Sequence, residues 1–246
     1  MRLVPTPDWF IGKDVLIEGF SFIVLFLFSF LSLKNYKLTK NKKFLYLGFG
    51  FSLIALAQLA TILTKLVLYY DVGPSQAIGN LVLQKELVGS VDIFYFMGFF
   101  FYRLFTLLGL YIIYRLPVKK KSPGDLVLAI YFIAISAFFS RQWSGLFNIT
   151  ALILLVLIIN NYYILYKRSK FRNTLILIIA FSILALSQLI FIFASTDLIF
   201  VLGNIVELIS YGLLLTLILR LVQHGKKTKP NGNNIRHARD SSRTGR

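Results

Sequence analysis

The stretch TLILIIAFSILALSQLIFIFA, Thr174–Ala194, decides the fold of this 246-residue chain. Its 21 residues carry no charge, and about 20 helical residues are enough to cross a hydrocarbon core of roughly 30 Å. Six more apolar blocks occur, at Val15–Leu33, Phe44–Leu68, Ile93–Tyr114, Leu126–Ser140, Leu146–Tyr166 and Leu198–Val222. The pattern predicts an all-α, polytopic membrane protein with seven transmembrane helices.

The composition agrees with a lipid environment and disfavours catalysis. Hydrophobic residues make up 57% of the chain and charged residues 15%, against a charged share of about 25% in soluble domains. There is no cysteine, and the two histidines, His224 and His237, follow the last apolar block. Thiolate chemistry, a histidine base and a histidine metal site inside the membrane are therefore excluded. We predict no enzymatic activity, no cofactor and no metal.

Basic residues mark one side of the membrane. Lys and Arg favour short cytoplasmic loops, and they cluster after the first, third, fifth and last blocks. These clusters contain Lys34, Lys37, Lys40, Lys42 and Lys43; Arg115, Lys119, Lys120 and Lys121; Lys167, Arg168, Lys170 and Arg172; and Arg220 with the tail. The short block Leu126–Ser140 must cross, because otherwise two basic loops would face opposite sides. We predict a cell-membrane protein with its N-terminus outside and its C-terminus in the cytoplasm.

This distribution also explains the formal net charge of +17 without nucleic acid. The expected organisation is an extracellular segment 1–14, a transmembrane domain 15–222 and a disordered basic tail 223–246. The tail should contact anionic lipid, at about 1 kcal/mol per basic residue near the surface. The one sizeable outer loop, Asp71–Val91, has the spacing of an interfacial amphipathic helix, and a lid over an outward cavity is the alternative.

Two apolar segments repeat. Phe51–Leu59 and Phe181–Leu189 are identical at six of nine positions, at an offset of 130 residues. After the outer loop the offset becomes 105, where Asp92 corresponds to Asp197 and Gly98 to Gly203. The first three and the last three helices thus resemble each other. We predict parallel halves, about 15–116 and 145–222, joined by a linker helix at 126–140 and related by an axis along the membrane normal.

Two deep charges suggest a functional centre. Arg103 and Glu207 each lie about 15 Å from the outer end of their helix, at 1.5 Å per residue. Because an unpaired charge at that depth is costly, we expect them to form an ion pair. Further polar residues fall near the same depth, and they complete the hypothetical ligand site: Asn204, Gln58, Gln188, Tyr102 and Tyr211. The alternative is that these groups only bind helices to one another, as we expect for Glu18 and Lys65 near the outer ends of the first two helices.

In outline, the arrangement resembles the microbial rhodopsins and the SWEET and PQ-loop transporters, by topology alone. Rhodopsins carry a retinal-linking lysine in the middle of helix 7, where this chain has Glu207 and no lysine. The transporters carry prolines within their helices, whereas all six prolines here lie outside the apolar blocks. Neither mechanism is supported.

Three roles are compatible with these residues. The leading one is a non-enzymatic, sensor-like or receptor-like protein that binds a small ligand in its polar core. The second is a small-solute or proton-coupled transporter that uses Arg103 and Glu207. The third is a structural or assembly protein.

Overall fold

The computed structural model describes residues 7–69, 88–116, 123–139, 144–194 and 196–227. Within them the chain is all-helical and has no strands. A short 3-10 helix spans Asp8–Phe10. Seven α-helices follow: α1 Lys13–Thr39, α2 Lys42–Tyr69, α3 Val88–Arg115, α4 Pro123–Phe139, α5 Ser144–Ser169, α6 Arg172–Ile192 and α7 Asp197–Lys227.

Six of these helices are long and apolar enough to cross a membrane: α1, α2, α3, α5, α6 and α7. The prediction of an all-α membrane protein is confirmed at this level. Helix α4 has 17 residues and is the short element that the sequence also marked. Helix α7 continues to Lys227, past the predicted end of the membrane domain at Val222. Most of the segment that was predicted as an interfacial helix or a lid, residues 71–87, lies outside the described residues. Its last four residues, Val88–Val91, belong to α3.

The long helices form a ring. Helix α2 packs between α1 and α3, and α6 packs between α5 and α7. Contacts of α1 with α7 and of α3 with α5 close the ring, while α4 lies outside it against α3 and α5. A row of aromatic rings crosses the centre. Phe28 packs on Phe51 at 4.3 Å between centroids, Phe51 lies parallel to Phe181 at 6.5 Å, and Phe181 packs on Tyr162 at 6.2 Å.

Two glycines allow α2 and α3 to approach closely. A Cβ atom built on Gly109 would lie 2.7 Å from the backbone oxygen of Gly50 and 2.5 Å from Cγ1 of Ile54. A Cβ atom on Gly50 would lie 3.1 Å from the backbone oxygen of Gly109. Small residues let helix backbones meet in this way, and in lipid such van der Waals packing drives helix association.

We therefore expect Gly109→Ala to separate α2 from α3. Overpacking a tight interface costs about 1–3 kcal/mol, which unfolding of the purified protein in detergent would measure. Gly212→Ala is the matched control, since a Cβ there meets nothing within 4 Å and alanine is the better helix former. Equal stability of the two variants would contradict the close approach.

Candidate functional site

A buried ion cluster of Asp14, Glu18 and Lys65 lies where α1 begins and α2 approaches its end. The Lys65 Nζ atom is 2.7 Å from Asp14 Oδ2 and 2.6 Å from Glu18 Oε1. Asp14 is fully buried and Lys65 is 4% exposed. The expected pairing of Glu18 with Lys65 is confirmed. Because both carboxylates come from α1, the cluster fixes that helix against α2.

A second polar group lies at the centre of the bundle. The Gln58 side-chain amide on α2 donates to the Tyr211 hydroxyl at 3.4 Å, and this hydroxyl donates to Glu207 Oε1 at 3.1 Å. Tyr211 and Glu207 are four residues apart, so both project from the same face of α7. Gln58 is seven residues before Lys65, about two helical turns or 10 Å along α2. The central group is therefore separate from the ion cluster.

These side chains line a central cavity of about 20 Å³, which is the volume open to the centre of a water molecule. One water molecule needs about 10–15 Å³ by this measure, so the space suits one water-sized guest and no organic molecule. Its lining is Leu25, Phe51, Ile54, Gln58, Tyr102, Thr106, Leu110, Phe147, Ala151, Leu155, Phe181, Leu184, Gln188, Glu207, Tyr211 and Leu214.

Two oxygens in this lining have unused hydrogen-bonding capacity. Gln188 Oε1 and Thr106 Oγ1 are buried and have no hydrogen-bond partner within the described structure. Gln188 as a whole is 7% exposed. A buried polar atom without a partner costs about 1–3 kcal/mol, so two of them around one cavity are a costly arrangement for a site whose only purpose is packing.

Five of the seven predicted site residues meet at the central cavity: Gln58, Tyr102, Gln188, Glu207 and Tyr211. Asn204 lies outside its lining, and its side chain donates to the backbone oxygen of Phe200 at 2.9 Å on the same helix. Arg103 is half-buried on α3 and also lies outside the lining.

The expected Arg103–Glu207 ion pair is wrong for the described part of the chain. There no ion pair joins Arg103 to Glu207: Lys65 pairs with Asp14 and Glu18, and Glu207 accepts a hydrogen bond from the Tyr211 hydroxyl. Equal depth did place Tyr102, the neighbour of Arg103, at the cavity with Glu207. Successive residues of a helix project about 100° apart, so depth alone does not establish which of two neighbours faces the centre.

Sequence reasoning underrated two residues. Asp14 falls in the predicted extracellular segment 1–14, yet its spacing of four from Glu18 places both carboxylates on one face of α1. Thr106 is not among the predicted site residues. Its spacing of four from Tyr102 was the available signal, since the two residues share a helix face.

The chain matches no protein-family model, no curated protein and no solved structure. The class of protein therefore rests on the fold and the site. Both define a helical membrane protein with long apolar helices and a buried polar centre.

The ion cluster yields a direct stability test. Lys65→Met removes the cation from two buried carboxylates, and breaking a buried pair by deleting one partner costs about 3–5 kcal/mol. Lys43→Met, at an exposed position of the same helix, should change stability by less than about 0.5 kcal/mol. Denaturation of both variants in detergent decides the matter, and a similar small effect in both would show that the cluster does not stabilise the fold.

Proposed function

We propose that this protein is a non-enzymatic cell-membrane protein that binds a small polar ligand in its central cavity and acts as a sensor or receptor. The observation that carries the proposal is that two residues of the cavity lining, Gln188 and Thr106, have buried oxygens without a hydrogen-bond partner in the described structure. Polar groups in membrane helices are retained at a cost and are commonly functional. A ligand that supplies hydrogen bonds or charge would remove that cost.

An internal repeat is part of the proposal, and the two helical hairpins support it. Helix α1 ends at Thr39 and α2 begins at Lys42, while α5 ends at Ser169 and α6 begins at Arg172. The end of α5 therefore follows the end of α1 by 130 residues, and the start of α6 follows the start of α2 by 130 residues. This number is the offset of the sequence repeat.

The connecting turns agree as well. Lys40 and Lys170 both have a left-handed backbone, with φ of 55° and 52°. Their backbone N–H groups donate to the backbone oxygens of Tyr36 and Tyr166, each at 2.8 Å. Lysine rarely adopts this conformation, so its occurrence at two equivalent positions favours a common origin of the hairpins.

The cavity supports the same two-fold relation. Twelve of its sixteen lining residues form six equivalent pairs at offsets of 130 or 105. The pairs are Leu25 with Leu155, Phe51 with Phe181, Ile54 with Leu184, Gln58 with Gln188, Tyr102 with Glu207, and Thr106 with Tyr211. A cavity whose walls come in equivalent pairs is expected where a two-fold axis passes through it. We place that axis along the membrane normal, with α4 as a seventh crossing between the halves.

The proposed orientation puts the α1–α2 and α5–α6 turns in the cytoplasm, because both are rich in lysine and arginine. The chain has no native cysteine, so single-cysteine labelling has a clean background. Thr39→Cys and Ser169→Cys should resist a membrane-impermeant maleimide on intact cells and react after permeabilisation. Thr196→Cys, before α7, should react on intact cells. Labelling of Thr39→Cys and Ser169→Cys from opposite faces would overturn the seven-crossing topology.

The two equivalent glutamines distinguish a binding site from a purely structural polar core. Gln58→Leu removes a hydrogen bond between α2 and α7, so stability should fall by about 1 kcal/mol. Gln188→Leu removes an oxygen without a partner, so stability without ligand should be unchanged or higher. Thermal unfolding of the two matched variants measures the difference. Equal destabilisation would favour the structural or assembly role.

A specific observation also favours the transporter alternative. The charge of Glu207 acts on Glu18, as expected if the central cavity and the ion cluster belong to one path for protons. Arg103 lies outside the cavity lining and acts on Tyr102 within it.

Proteoliposomes containing a pH-sensitive dye separate the sensor from the transporter. We expect no proton flux after an imposed pH gradient. A flux that Glu207→Gln abolishes and Asn204→Leu leaves intact would establish the transporter instead, since Asn204 lies outside the cavity lining.

A further inference from the structure

We infer that the central cavity binds one small monovalent cation, held by the Glu207 carboxylate, the Gln188 side-chain carbonyl and the Thr106 hydroxyl. This inference rests on the proposed binding function and specifies the ligand for that site.

The two sides of the cavity are equivalent in position and different in chemistry. On one side Gln58 donates to Tyr211. The equivalent residues on the other side are Gln188 and Thr106, and there neither Gln188 Oε1 nor Thr106 Oγ1 has a hydrogen-bond partner in the described structure. Threonine is shorter than tyrosine by the whole aromatic ring. The space that a ring fills on one side is therefore open for a guest on the other.

The atoms around this space suit a cation. An amide oxygen, a hydroxyl oxygen and a carboxylate are hard ligands, which hard cations such as sodium prefer. The one described contact of Glu207 is with a neutral hydroxyl group. Lys65, whose charge reaches Glu207, is already held by two carboxylates. A positive guest would offset the charge of Glu207 in a region where charge is costly.

Charge and size restrict the guest further. Glu207 is the one acid in the lining, and no group of three or more acidic or histidine side chains occurs in the described residues. A single negative charge matches a single positive charge, whereas divalent sites usually recruit several carboxylates. A volume of about 20 Å³ suits a guest the size of one water molecule. Sodium, lithium and hydronium meet these conditions.

Hydronium binding would make the site sensitive to pH, so the titratable groups around Glu207 matter. Tyr211 on the same helix and Lys65 on α2 act on Glu207. Glu207 in turn acts on Tyr102 of α3 and on Glu18 of α1. Arg103 acts on Tyr102, and Gln188, which faces the cavity from α6, does not titrate.

The test is the unfolding temperature of the full-length protein in detergent, at constant ionic strength with choline chloride as the balancing salt. Sodium or lithium chloride should raise it by several degrees in a saturable manner, as expected for a ligand that binds only the folded state, and potassium should act more weakly. A rise on acidification without sodium that Glu207→Gln abolishes would identify a proton, shared between Glu207 and one water molecule, as the cation. Binding of radioactive sodium to the purified protein gives a second measurement.

The variants localise the effect. Glu207→Gln retains an acceptor for Tyr211, and Thr106→Val retains the shape of the side chain, so both should fold. Both should lose the cation-dependent shift, and Asn204→Leu should keep it. The inference is overturned if sodium, lithium and acid all leave the wild-type unfolding temperature unchanged, or if Glu207→Gln keeps the full shift. If Gln188→Leu is meanwhile neutral, the binding site stands and its ligand is uncharged.

Discussion

Hydrocarbon offers no hydrogen bonds, and this constraint governs the arrangement of every polar side chain in the bundle. Lys65 is acceptable because Asp14 and Glu18 surround it. The cost of burying Glu207 is reduced because its Oε1 atom accepts a hydrogen bond from the Tyr211 hydroxyl. Three buried oxygens have no partner in the described structure. Glu18 Oε2 belongs to the ion cluster, where the other carboxylate oxygen of Glu18 contacts Lys65. The other two, Gln188 Oε1 and Thr106 Oγ1, both belong to residues that line the cavity, and this is why the cavity is proposed as the binding site.

The fold was largely predictable because helices that are solvated by lipid need long stretches of apolar residues without charge, which are easily recognised in a sequence. The uncharged stretch Thr174–Ala194 became α6 at Arg172–Ile192, and the other long blocks also became helices. The predicted helix ends were less accurate. Helix α1 continues to Thr39 and α7 to Lys227, because polar residues such as lysine and glutamine are good helix formers, so a helix need not end where its apolar block ends.

The site was predictable in depth and only partly in direction. Residue spacing placed Tyr102, Glu207 and the two glutamines Gln58 and Gln188 at a similar depth, and these residues do share a cavity. Spacing did not show that Arg103 lies outside the lining. That depends on the rotation of α3 about its axis, which packing sets. The close approach of Gly50 and Gly109 is one of the contacts that fix this rotation, and no periodicity in the sequence displays it.

The proposed duplication explains why two of the three buried oxygens without a hydrogen-bond partner in the described structure belong to residues of the cavity lining. Where equivalent residues are apolar, as Phe51 and Phe181 are, they pack against each other across the centre, and two equal halves suffice. Where equivalent residues are polar, exact two-fold symmetry would place each polar side chain opposite an identical side chain from the other half. The difference between Thr106 and Tyr211 removes that symmetry: Gln58 donates to Tyr211, whereas Gln188 Oε1 has no partner in the described structure. A duplicated bundle can therefore acquire an internal site by changing few residues at its axis while the helix contacts around it stay the same.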